Sequence, residues 1–432
     1  MLKTLKNAWA IDDLRKKMLF TVFMLIIYRL GSAIPVPGLS AEAMQGLMGA
    51  EGTMGVFSLL DTFTGGAFSN ATIFAMGITP YINSSIIIQL LTVAIPALER
   101  LSKEGEEGRK KINKIVRYGA IVLAIVQAIG LYFTLNSMGA GVVENFGFMS
   151  GLVVVLTFTA GTAFVVWLGE KITEKGVGNG ISLIIFSGIV ARGPQLIMTL
   201  YNSFLGENLS AWSAIGLIVV IAVVILVLGF VVFMNNAERR IPVQYAKRVV
   251  GRKMYGGQST NIPIKVAMAG VMPIIFATSI LAFPTTIAQF CGADIQGGQG
   301  FWYDILRSLS YGGWVYAVLD FLLIIFFTFF YTSMQFNPIE MSNNIKTNGG
   351  FIPGIRPGRP TSDYIAKTLN RIVIIGAFFL AVIAVLPMAF SAVVPGIALG
   401  GTSLLIVEGV ALETVKQIES QMMMRHYKGF LE

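Results

Sequence analysis

Ten apolar stretches, each close to the length of a bilayer crossing, leave this sequence few folds to adopt. They lie near 19–36, 73–93, 115–135, 150–169, 181–201, 213–234, 266–287, 314–334, 368–388 and 397–415. About 20 consecutive apolar residues cross the hydrocarbon core as a helix. Hydrophobic residues make up 55% of the chain and charged residues only 13%, with a mean hydropathy of +0.72. A soluble domain carries about a quarter charged residues, so this chain cannot clothe itself for water. The fold class expected is an all-α polytopic membrane protein with ten transmembrane helices.

The basic residues set the orientation. Of the 32 lysines and arginines, 29 fall before the first run, after the even-numbered runs, or in the C-terminal tail, leaving Arg29, Arg192 and Arg307 elsewhere. Cytoplasmic loops retain Lys and Arg, so the alternation places both termini in the cytoplasm and requires an even number of spans. The first run lacks a small-residue cleavage site, which predicts a retained helix and no signal peptide. The formal charge of +9 therefore reports topology before it reports nucleic acid.

The pattern breaks in two places. Residues 58–72, SLLDTFTGGAFSNAT, are too polar and Gly-rich to span, yet they run directly into an apolar stretch carrying Pro80, Asn83, Ser84, Ser85 and Gln89. Irregular backbone at membrane depth survives only where protein or a water-filled cavity covers it, so a re-entrant piece beside a cavity is expected. With five spans per half, the second span corresponds to the seventh, which carries Pro273, Thr278, Ser279 and Pro284. Paired interrupted helices point to an inverted repeat with a pathway at its interface. The plainer reading is that Pro and Ser/Thr kink and glue helices, as they do in many spans.

Two loops, about 235–265 and 335–367, exceed what connection requires. The first interleaves basic residues with Tyr245 and Tyr255; the second uses Pro and Gly to build a stiff knob bearing Arg356. Such loops serve either to attract anionic lipid headgroups or to dock an acidic or RNA-rich partner.

Much chemistry is missing. A lone cysteine, Cys291, excludes an internal disulfide, and the single histidine, His426, lies in a polar tail. There is no phosphate-binding glycine loop, zinc-protease motif or Ser-His-Asp set, so no enzymatic activity and no cofactor or metal are expected. Arg29, Asp320 and Glu408 are the charges inside spans, and acids there can mark an ion-coupled carrier. A carrier for a small solute and a membrane scaffold stay open on these grounds.

Specific strings narrow the choice. YRLGSAIPVPG (28–38), FTGGAFSNATIFAMGITPYINSSIIIQLL (63–91), EKGVGNGISLIIFSGIV (174–190), AGVMPIIFATSI (269–280), NPIEMSNNIKTNGGFIPGIRPG (337–358) and GGTSLLIVEGV (400–410) resemble the SecY family, the channel subunits of the bacterial protein translocase. The resemblance runs from first span to last. It implies a passive channel that moves unfolded preproteins across the plasma membrane and releases apolar segments sideways into lipid, driven by the SecA ATPase or the ribosome. It implies two pseudo-symmetric halves of five helices, 19–205 and 206–417, between a cytoplasmic amphipathic N-terminus (1–18) and a cytoplasmic tail (418–432).

By the same resemblance, Ile78, Ile82, Ile181, Ile185, Ile275 and Ile406 form the pore ring, although periodicity alone reads each as ordinary bundle core. A gasket of branched apolar side chains dewets a narrow pore and blocks ions. Segment 58–72 matches the plug, with Phe63, Thr64, Gly65, Gly66 and Ser69 under the ring, and its mixed polarity suits a piece that leaves readily. Asn83, Gln89 and Thr278 match the lateral gate. Arg240, Lys247, Arg248, Arg252 and Arg356 match the surface that docks SecA or the ribosome. SecE and SecG are the implied membrane partners, with anionic lipids around them. Arg192 and Glu144 receive no role.

Overall fold

The computed structural model describes residues 2–49, 61–137, 141–144, 146–195, 197–198, 201, 211–245, 248–250, 253–255, 259–290, 300–309, 313–393 and 401–428. The chain is mostly helical, and a helix lies on each of the ten apolar runs: α2 (Asp12–Gly31), α4 (Thr79–Ala94), α6 (Glu106–Ser137), α7 (Phe148–Lys175), α8 (Gly180–Ala191), α9 (Ala211–Asn236), α10 (Met272–Phe290), α12 (Trp314–Gln335), α14 (Arg359–Val393) and α15 (Gly401–Lys428). Among the described residues five helices are by themselves long and apolar enough to cross a membrane, six if the bent pair α4 and α5 (Pro96–Lys103) counts as one span. Shorter helices α1 (Leu2–Trp9), α3 (Ala41–Gly49), α11 (Phe301–Ser308) and α13 (Pro338–Thr347) connect them.

Helix ends follow local chemistry. Pro96 pushes the residue before it out of the helical region, and Ile95 is extended at φ −107°, ψ 113°. The chain consequently turns by 102° between α4 and α5. Asn179 caps α8, its side chain accepting from the amides of Ile181 (3.1 Å) and Ser182 (3.4 Å).

The chain forms two compact units, the first made of Met1–Ser203, Ser279–Tyr316 and Gly409–Glu432, the second of Phe204–Thr278 and Ala317–Glu408. In the first, Ser84 of α4 donates to the Val116 carbonyl of α6 at 2.8 Å. Arg117 of α6 pairs with Glu170 of α7 at 2.6 Å. Val36, Leu39, Phe68, Leu131, Tyr132 and Phe158 share one buried cluster. Ala8, Leu14, Val177 and Ile418 share another, which draws the two ends of the chain together.

In the second unit the two long loops are folded, and folded onto each other. β1 (Glu238–Tyr245) and β4 (Ser259–Lys265) pair antiparallel around an inner hairpin of β2 (Arg248–Val250) and β3 (Lys253–Tyr255). β5 (Gly350–Phe351), from the second loop, adds to the other edge of β1. Ile241, Val243 and Ile264 point to a common core with Ile345, Ile352, Ile365 and Leu369. Alternation along β1 turns Ile241 and Val243 inward and leaves Arg240 outside, as a pleat requires.

Ile241→Ala should cost about 2–5 kcal/mol of local stability. We expect faster tryptic cleavage within 238–265, with an Arg239→Gln control, at an exposed position, cutting no faster.

Candidate functional site

Four of the six positions expected to form the ring belong to the first unit. Ile78 sits at the N-cap of α4 with φ −98° and ψ 0°, followed by Pro80 in the first turn. The Ile82 amide donates to the Ile78 carbonyl at 3.1 Å, so the two isoleucines stack on one face. Ile78 is buried and Ile82 half-buried. On α8, Ile181 and Ile185 repeat that spacing just past the Asn179 cap, half-buried and buried respectively. Ile275 of α10 and Ile406 of α15 belong to the second unit, the first half-buried and the second buried.

Residues 61–72 are the described part of the segment expected to act as a plug. A helical stretch closes at Thr64, and turns carry the chain from Gly65 to the start of α4. The backbone polar groups are satisfied locally. The amide of Gly66 donates to the Asp61 carbonyl (3.0 Å), that of Thr72 to Ala67 (3.0 Å) and that of Ile73 to Ile34 (3.0 Å), while Val36 donates back to Ala71 (2.9 Å). The Asp61 side chain is fully buried, with Oδ1 accepting from the Ser69 amide at 2.8 Å. Its Oδ2 accepts from Nη2 of Arg192, the residue that ends α8.

Tertiary contacts seat the same segment. Tyr28 of α2 donates to the Thr64 carbonyl at 3.4 Å, and Arg29 donates to that of Gly65, also at 3.4 Å. A Cβ on Gly65, where φ is +66°, would lie 2.6 Å from the Gly188 carbonyl oxygen of α8; one on Gly188 would lie 2.4 Å from that of Phe63. Only glycine allows the two backbones this approach. The polarity that marked the segment as ready to leave is thus turned inward, into bonds with its own turns and with α2 and α8.

Two of the three positions expected at the gate bond within their own helices. Gln89 donates to Ser85 at 3.1 Å, and Thr278 donates to the carbonyls of Ile274 (3.0 Å) and Ile275 (3.1 Å), a habit of hydroxyls inside spans. Asn83 is half-buried on α4. Among the residues expected to dock a partner, Arg240 is exposed on β1 beside Glu238 (2.7 Å). Arg356 is exposed in a turn tied down by Thr361 Oγ1, which donates to its carbonyl at 2.8 Å. The backbone of Arg248 lies on β2; Lys247 and Arg252 lie outside the described residues. Sequence reading passed over Asp61 and left Arg192 without a role; no local pattern links residues 131 positions apart. The described residues hold no cluster of three or more metal-ligating side chains.

Comparison with known proteins decides the family. A family model described as SecY matches residues 72–415. The protein translocase subunit SecY of Halalkalibacterium halodurans is 46% identical over 439 residues, covering all of both chains, and that of Bacillus subtilis 45% identical over 445, again covering both in full. The chain belongs to the SecY family. Its fold agrees with solved SecY-type structures. One described as a protein-conducting channel superposes with a TM-score of 0.64 at 17% identity, covering 95% of this chain and 93% of that one. Sec61 in the canine ribosome–channel complex gives 0.61 at 17% identity, with the same coverage. The SecY resemblance of the sequence motifs therefore holds over the whole chain, and the protein is a multi-pass membrane translocase subunit of the SecY type.

Asn179→Ala removes the cap that starts α8. The expected loss is about 1 kcal/mol, read as a lower melting temperature in detergent and faster hydrogen exchange at the Ile181 and Ser182 amides.

Proposed function

We propose that this SecY-family chain is a passive channel whose waist is formed by Ile78, Ile82, Ile181, Ile185, Ile275 and Ile406. The observation that carries the reading is the non-helical stretch between Gly65 and Ile78, folded against α2 and α8 immediately before the first two ring positions. Non-helical backbone at membrane depth needs protein or an aqueous cavity around it, and a channel supplies both. In the resting state Phe63, Thr64, Gly65, Gly66 and Ser69 stop the pore from below. The isoleucines exclude water from the waist and yield to an extended chain of any sequence, since their contacts are non-directional.

The two halves, 19–205 and 206–417, part along a seam carrying Asn83, Gln89 and Thr278. An apolar signal helix that binds the open seam better than the closed one shifts the balance between them. The chain sits in the plasma membrane with both termini cytoplasmic, SecE bracing the halves and SecG and anionic lipids beside them. The β1–β4–β5 sheet presents Arg240 and Arg356, with Lys247, Arg248 and Arg252, to SecA and to the ribosome, with which canine Sec61, a relative in fold, forms a complex. A guanidinium on a Pro/Gly turn suits bidentate binding to carboxylate or phosphate. Energy comes from those partners, in keeping with a sequence that carries no phosphate-binding loop.

The decisive experiment places a cysteine at each of the six ring positions in turn and asks whether a stalled preprotein cross-links to them. Cross-links at all six support the waist; a chain that cross-links only to lipid-facing positions overturns it. Arg356→Glu should abolish SecA-driven translocation while membrane insertion and SecE association persist, measured in inverted vesicles. Ile406→Asn should let a reporter with a damaged signal be exported, whereas a reporter held in the cytoplasm would remove Ile406 from the ring.

A further inference from the structure

Asp61 and Arg192 form a part-buried link between two parts to which the channel reading gives separate tasks. The Asp61 side chain is 1% exposed and that of Arg192 25%. The carboxylate is bound on both sides, by the Ser69 amide within its own segment and by the guanidinium at the end of α8. Among the described residues that guanidinium has no other acceptor, and its Nε is buried without a partner. Arg192 therefore sits where it does for Asp61. The pair stands one turn beyond Gly188, where the backbones of the segment and of α8 already touch. Two turns back along the same helix is Ile185.

A charge pair in a dry site differs from a surface one. Separating it strands each ion in a low dielectric, which is strongly unfavourable, until water arrives to solvate both. Contacts such as Phe68 in its apolar cluster resist displacement in proportion to area; an ion pair adds resistance that vanishes once the site is wet. That is the property of a catch, firm when the channel is sealed and weak after opening has begun.

We infer that Asp61 and Arg192 are positioning residues that latch the plug segment to α8 and so set how tightly the resting channel is sealed and how strictly it selects signals. This rests on the reading of the chain as a plugged channel. The ligand of the latch is internal: Arg192 holds no substrate, and its removal loosens the resting state without touching the ring.

The test uses the full chain, assembled with SecE and SecG in vesicles, with Cys291→Ser and a reporter Ala67→Cys at a fully buried position. A membrane-impermeant maleimide reports plug displacement, and chloride flux reports the seal. Arg192→Gln should label about tenfold faster or more, leak chloride at rest and export a reporter with a damaged signal. Asp61→Asn keeps an oxygen for the Ser69 amide but loses the charge, and should shift all three readouts the same way. Arg192→Lys, which can make the single contact with an ammonium, should restore sealing to within about twofold of the parent. If both neutral variants label and leak like the parent while the parent translocates an intact preprotein, the latch is refuted and the channel stands. If the parent moves no preprotein with SecA and ATP present, the channel reading falls and the latch with it.

Discussion

Inside a bilayer no water is available to the peptide group, so every amide and carbonyl must find a partner within the chain. Helices meet that demand along their own axes. The difficult place is the stretch from Gly65 to Ile78, which runs into the apolar α4 without being helical. It is settled by a set of short-range bonds around Asp61, Ala67 and Thr72, by an exchange of bonds with residues 34–36, and by donors from Tyr28 and Arg29. Because α4 begins only after this stretch, the positions of Ile78 and Ile82 are inherited from it. The seat of the segment and the face presented by the helix are one structural fact.

The converse problem holds in water. Loops of some thirty residues can be left solvated, but a display surface for a partner needs residues that stay put. Here the two loops solve it jointly: β5 from one completes a sheet begun by β1 and β4 of the other, and Ile241, Val243, Ile264, Ile352 and Ile365 close the core beneath. Neither loop has enough apolar surface for a core alone, a common condition for short sheets. Arg240 and Arg356 are consequently carried by one body, although more than a hundred residues separate them in sequence.

Apolar runs are local signals, and they made the helices legible beforehand; Pro96 and the Asn179 cap are equally local, yet the α4–α5 bend and the start of α8 were read only from the structure. The alternating Ile241 and Val243 were a weaker signal, overlooked because a strand half-buried on one face shows only two apolar positions. The isoleucines proposed for the ring rest on resemblance, since a branched apolar side chain looks the same in a gasket and in a bundle core. The segment 61–72 was legible as irregular and not as anchored: its polarity reads as readiness to meet water until the partners of those polar groups are known.

From the sequence alone followed the membrane class, the helical runs and the SecY family, because hydrophobic length and local motifs act residue by residue and need no knowledge of neighbours. The tertiary structure alone decided that Asp61 meets Arg192, how Gly65 meets Gly188, and that two loops make one sheet. Those are pairings across long chain separations, and a buried charge or a missing Cβ acquires meaning only from the group brought against it.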